Sequence, residues 1–177
     1  MNLPKKLSPI TLLFFGTLAC SSQKPYASRN MELSRLFSEA TNVTILSYVN
    51  RMYEAPLPEG DAANTRVKDT VLFVAGELNV LASTIREKLV LTRTQTESLF
   101  TILNTDLCKF DGGAICFNPR HAIIFYDSKN STLGYIELCF DCVTYETSPA
   151  FEIDFCYEKA QALKEHFETF GLTYFSE

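Results

Sequence analysis

Ala122-Ile-Ile-Phe-Tyr-Asp-Ser-Lys-Asn-Ser-Thr-Leu-Gly-Tyr-Ile-Glu-Leu138 decides the fold of this chain. Two runs rich in β-branched and aromatic residues, 122–126 and 134–138, flank a polar stretch of turn formers. That is the pattern of an antiparallel hairpin. Pro119 has no N–H to donate and pushes Asn118 toward an extended conformation, so it belongs at the start or edge of the first strand. A turn centred near Asn130 sets His121 opposite Cys139 on one face, with Glu137 facing Ile123 beside them. A slip of one residue would break that pairing, because strand side chains alternate between faces.

A hairpin of this kind needs a covering layer. The segment 157–170 supplies a helix: Ala160, Leu163, Phe167 and Phe170 make one apolar face, with Lys159, Lys164, Glu165, His166 and Glu168 read as facing solvent. Gly171 stands where a left-handed C-cap belongs, and Leu172 is placed to close it. A second helix is expected over about 94–104, with two overlapping capping boxes at its start, Thr92 with Gln95 and Thr94 with Glu97, and a stripe of Leu99, Ile102 and Leu103. Further back, Asn30 suits an N-cap for a short helix over 31–40. Residues 43–49 read as a strand buried at least partly on both faces. The stretch 71–85 fits either a helical stripe or a small hairpin, and Gly76 with the β-branched start tips it toward strands. Residues 89–91 read as a short extended piece, while 54–61, with Pro56, Pro58 and Gly60, reads as a loop, as does the Asp111-Gly112-Gly113 turn. The expected architecture is a single α+β domain over 31–177, a small and mainly antiparallel sheet with helices packed on one side.

Composition narrows function by exclusion. The formal net charge is −5, and no Lys/Arg block is present to bind nucleic acid. P-loop, dinucleotide-binding and zincin motifs are all absent.

The N-terminus reads as an address. Lys5 and Lys6 precede an apolar core at 10–18, well short of the roughly 20 apolar residues that span a bilayer. The end, Thr17-Leu18-Ala19-Cys20, resembles the lipobox of bacterial lipoproteins. Ala19 matches the small residue before the cut and Cys20 the acylated cysteine, while Thr17 stands where Leu is usual. The resemblance implies a leader over 1–19, a lipidated Cys20 with a polar tether to 30, and export to the bacterial cell envelope. There, in the periplasm or at the outer membrane, the lipid would hold the domain to a membrane. A plain cleaved secretory signal is the first alternative and an uncleaved anchor the second. Loss of Lys5 and Lys6 with the leader would make the mature chain two charges more negative.

Residues 91–172 also resemble a set of small uncharacterised exported bacterial proteins. The matching positions are Cys116, Pro119, Arg120 and His121, a strand ending at Asp127, and Cys139-Phe-Asp-Cys142. The resemblance implies one structural unit and no particular activity.

With Cys20 acylated, five thiols remain: Cys108, Cys116, Cys139, Cys142 and Cys156. Structural disulfides are the leading expectation, since an exported chain meets an oxidising compartment; which thiols pair is not fixed by sequence. A soft-metal site from Cys116, His121, Cys139 and Cys142, holding zinc or copper, is the alternative. Thiol–disulfide exchange at the Cys-x-x-Cys is weaker, because that motif reads as part of a strand rather than a helix N-terminus. Cys/His nucleophilic chemistry rests on His121 facing Cys139. Arg120 could contact an anion, although pairing with Glu137 or Asp141 is the simpler reading. The expected function is a non-enzymatic envelope lipoprotein that binds an envelope protein or small ligand and needs no cofactor. The rival is a soft-metal or thiol-redox lipoprotein.

Overall fold

The computed structural model describes residues 26–49, 72–74, 76–80, 82–109, 116–149 and 151–175. The leader, Cys20, the start of the tether, the 54–61 loop and the Asp111-Gly112-Gly113 turn lie outside them. In chain order the elements are α1 (Tyr26–Glu39), β1 (Asn42–Tyr48), β2 (Phe73–Val74), β3 (Glu77–Leu78), a 3-10 turn (Ala82–Thr84), β4 (Ile85–Val90), α2 (Arg93–Asn104), β5 (His121–Tyr126), β6 (Thr132–Cys139), β7 (Thr144–Ser148) and α3 (Tyr157–Phe170). Among the described residues five strands form one antiparallel sheet in the order β4-β1-β5-β6-β7, and β2 pairs with β3 in a second, two-stranded sheet. The domain is thus α+β, as expected.

Alternation along the strands sorts the side chains into two layers. Val43, Ile45, Ile123, Phe125, Ile136 and Leu138 face the helices, meeting Leu33 and Leu36 of α1, Leu99 and Leu103 of α2, and Leu163 and Phe167 of α3. Phe37 bridges α1 to both the sheet and α2, with ring centroids 4.9 Å from Phe125 and 4.9 Å from Phe100. Leu46, Tyr48, Ala122, Ile124 and Tyr135 face the other way and are covered by Leu72, Phe73, Leu78 and Val80 around the β2–β3 hairpin. The strand reading of 71–85 therefore holds, with Gly76 at the turn between β2 and β3.

Local chemistry explains the element ends. Thr92 and Gln95 form the reciprocal capping box of α2: the Gln95 N–H donates to Thr92 Oγ1 at 3.3 Å, and the Thr92 N–H to Gln95 Oε1 at 2.9 Å. Thr94 lies inside the helix, so the second box does not form. α3 ends at Gly171, whose φ of +106° is the left-handed region that glycine enters without a Cβ clash. The Leu172 N–H then reaches back to the Phe167 carbonyl at 3.0 Å, and Leu172 is buried. Gly134 serves another purpose. A Cβ there would lie 2.5 Å from the Ser148 carbonyl oxygen and 2.9 Å from Leu36 Cδ2, so its hydrogen lets α1 and β7 close on β6.

Further expectations are corrected. α1 begins at Tyr26, so Asn30 lies within the helix rather than capping it. The β5–β6 register pairs His121 with Leu138, Ala122 with Glu137 and Ile123 with Ile136. An irregularity at Phe125/Tyr126 absorbs one residue near the turn, and everything beyond it moves by one. His121 and Cys139 consequently occupy opposite faces. The Cys-x-x-Cys is not strand throughout: Cys139 ends β6, and residues 140–143 turn into β7, with Val143 at a φ of +50°. Lys159, finally, is only 1% exposed.

Candidate functional site

Two disulfides staple the loops that enter and leave the sheet. Cys108, just past α2, is bonded to Cys156 at the head of α3, with Cα atoms 5.6 Å apart. Cys116, ahead of β5, is bonded to Cys142 in the β6–β7 turn, with Cα atoms 5.9 Å apart. Cys139 is the free thiol, buried at the end of β6. Its Sγ accepts the Cys142 N–H at 3.3 Å, so the thiol turns inward across its own four-residue turn. Cys116 is exposed, whereas Cys139 and Cys142 are buried.

At the same end of the helix face, cross-strand pairing lines up a polar row. Ser47 is the partner of Glu87 on one side and of His121 on the other. The chain's last described residues lie over this row. Ser47 Oγ donates to Glu87 Oε2 at 3.1 Å, and the Thr173 hydroxyl donates to Glu87 Oε1 at 2.6 Å. The Thr173 and Tyr174 N–H groups donate to the same carboxylate at 3.0 and 3.1 Å. Burial raises the Glu87 pKa, but these donors outweigh it and hold the carboxyl below the ordinary carboxylate value.

His121 completes the strap. Its Nε2 lies 2.8 Å from the Tyr174 carbonyl oxygen, which can only accept, so the proton sits on Nε2. Nδ1 is then a buried acceptor with no hydrogen-bond partner among the described residues. The ring stacks on Phe175 at 5.1 Å and meets Phe140 edge-on at 5.0 Å, with Phe167 at 6.1 Å. Burial in this aromatic box lowers the His121 pKa to about 4; the Tyr174 carbonyl and the charges of Glu87 and Asp141 act against that shift, and Arg120 adds to it. The imidazole is therefore neutral at neutral pH. Ser47 turns its hydroxyl to Glu87 rather than to His121, so the row lacks the nucleophile-to-base hydrogen bond of a catalytic triad.

Two polar groups are buried in places the sequence does not predict. Glu137 is fully buried on the hairpin face, where the Tyr48 hydroxyl donates to its Oε1 at 2.6 Å. The signal was present, since a lone carboxylate interrupts the apolar run 133–139. Lys159, read as solvent-facing, instead donates from Nζ to the Leu103 carbonyl at 3.0 Å. It thereby satisfies a carbonyl in the last turn of α2, where the helix dipole favours a cation. Burial lowers the Lys159 pKa, while Asp154 and Asp106 oppose the shift. His166, also read as solvent-facing, is half-buried and joins α3 to α2 through Ser98 Oγ at 3.1 Å.

The sequence candidates are thus only partly gathered. Cys116, Cys139 and Cys142 meet at one turn; Cys108 and Cys156 pair elsewhere; His121 lies across the sheet from Cys139. Among the described residues no three His, Cys, Asp or Glu side chains are arranged to hold a metal ion. Arg120 makes no ion pair with a described residue, so neither the expected pairing with Glu137 nor that with Asp141 forms, and Glu137 instead accepts from Tyr48. No described helix is long and apolar enough to cross a membrane. Compared with known proteins, the chain matches no family model, no curated protein and no solved structure.

Proposed function

We propose that this chain is a lipid-anchored bacterial cell-envelope protein whose disulfide-stapled domain binds an envelope protein or small ligand and performs no catalysis. The pair of disulfides is the observation that carries the reading. Such bridges persist in oxidising compartments, which is where a lipobox-like leader would deliver the chain. Acylation at Cys20 accounts for the remaining thiol arithmetic: two bridges and one buried thiol in the domain, one lipidated cysteine at its start. The buried polar groups support a binding scaffold over an enzyme. Glu87, His121 and Lys159 are each committed to backbone groups of the same chain, and Glu137 to a neighbouring tyrosine.

The test is the intact mass of the mature full chain, with fractionation of wild type and Cys20→Ala and elemental analysis of the purified protein. The expected mature chain starts at Cys20, carries acyl chains and stays with the membrane, and Cys20→Ala abolishes acylation. A mature chain that is cleaved but unacylated would leave a plain secreted domain. One zinc or copper per chain would replace the binding-scaffold reading with the soft-metal one.

A further inference from the structure

We propose that Cys116, Cys139 and Cys142 form an intramolecular thiol–disulfide exchange site, in which the buried Cys139 thiol takes over Cys142 and releases Cys116 as a surface thiol. Three features of the turn support this. Cys139 is the only free thiol among the described residues. It belongs to the same four-residue turn as Cys142, and its sulfur is already drawn inward by the Cys142 N–H. The third cysteine, Cys116, is on the exposed side of the bridge.

The step balances without an added oxidant or reductant. The Cys139 thiol loses its proton to solvent, and the thiolate attacks the Cys142 sulfur. A Cys139–Cys142 bond forms as the Cys142–Cys116 bond breaks, and Cys116 leaves as a thiolate that is reprotonated from solvent. One disulfide and one thiol are present before and after. A bridge between residues 26 apart in sequence is exchanged for one across three, so the long-range staple is lost while the turn stays closed. The folded geometry holds the Cys116–Cys142 bridge with Cys139 free, which makes the exchanged form the minor one. Its product is chemically distinct, because Cys116 becomes a solvent-facing thiol ahead of β5. That thiol could form a mixed disulfide with a partner's disulfide, displacing one partner sulfur as thiolate.

The proposal holds whether or not Cys20 is acylated, because it concerns the domain cysteines alone. It is tested on the full chain by incubation with N-ethylmaleimide under native conditions, acid quenching and non-reducing peptide mapping. The expected result is progressive labelling of Cys116 with matching accumulation of a Cys139–Cys142 bridge, and loss of Cys116 labelling in Cys139→Ser. Labelling of Cys116 at an unchanged rate in Cys139→Ser would overturn it, by showing that the bridge opens without Cys139. So would a wild-type map in which only Cys139 is labelled, with Cys116–Cys142 intact. The wild-type map decides the matter by itself if Cys139→Ser fails to fold.

Discussion

On the helix-covered face of the sheet, His121 lies among the rings of Phe140, Phe167 and Phe175; on the opposite face, behind the β2–β3 hairpin, Glu137 lies against Tyr48. Both groups are buried, on the adjacent strands β5 and β6 and one register step apart. Their covers differ. α3, the β6–β7 turn and the C-terminal strap give the histidine an aromatic box that keeps it neutral. The glutamate has a hydroxyl donor directed at its carboxyl. The same sheet thus buries one polar side chain as a neutral imidazole among rings and the other with a hydroxyl bonded to its carboxyl.

The largest expected effect comes from opening the histidine's box. Phe167→Ala removes a fully buried ring that touches both His121 and Phe140, and should cost about 3–5 kcal/mol in denaturant unfolding. A cost as small as that of a surface substitution would show that α3 does not seal this face. Acid probes the same box without changing its shape. Because the folded pKa of His121 is lowered to about 4, the unfolded chain binds more protons than the folded one between about 6.5 and 4. His121 should therefore withdraw about 3 kcal/mol of stability as pH falls through that window, and none above it. In His121→Gln, which keeps a donor for the Tyr174 carbonyl, that slope should vanish from pH-dependent unfolding curves.

The hairpin face should answer to a hydrogen bond instead. Tyr48→Phe removes the donor to Glu137 and is expected to cost about 1–3 kcal/mol, the scale of leaving a buried polar group without its hydrogen bond. A neutral outcome would mean that Tyr48 contributes packing only. Lys159→Met keeps the length of the side chain but orphans the Leu103 carbonyl, for an expected loss of about 1–3 kcal/mol. Glu87→Gln should be mildest globally and clearest locally. Its folded pKa is depressed, so its stabilisation is full above the ordinary carboxylate value of 4.5 and is lost as pH falls through the lower folded value. The substitution should speed amide exchange at Thr173 and Tyr174 while leaving the sheet amides protected.

Much of this fold was legible because several signals agreed. α3 is marked by its apolar stripe and by Gly171 and Leu172, and the observed helix ends where those residues place it. The capping box at Thr92 starts α2, and the alternating residues of β1 are buried on both faces. Register was not legible, because the irregularity at Phe125/Tyr126 depends on how the turn packs, and that single residue separates His121 from Cys139. Lys159 was misread for a related reason. A helical wheel shows which side faces the sheet, but α2 packs alongside α3 and covers a second stripe. Disulfide connectivity followed from tertiary contacts that bring the exit of α2 to the head of α3. In each case the missing information concerned how two elements meet, not what either element is.

The stapled framework underlies both the placement of these buried groups and the proposed exchange at Cys139. Its most direct test is a non-reducing disulfide map of the full chain, acid-quenched on purification and alkylated under denaturing conditions. The expected map shows Cys108 bridged to Cys156, Cys116 bridged to Cys142, and Cys139 alkylated in most molecules. A Cys108–Cys116 bridge, or a Cys139 paired in most molecules, would contradict it.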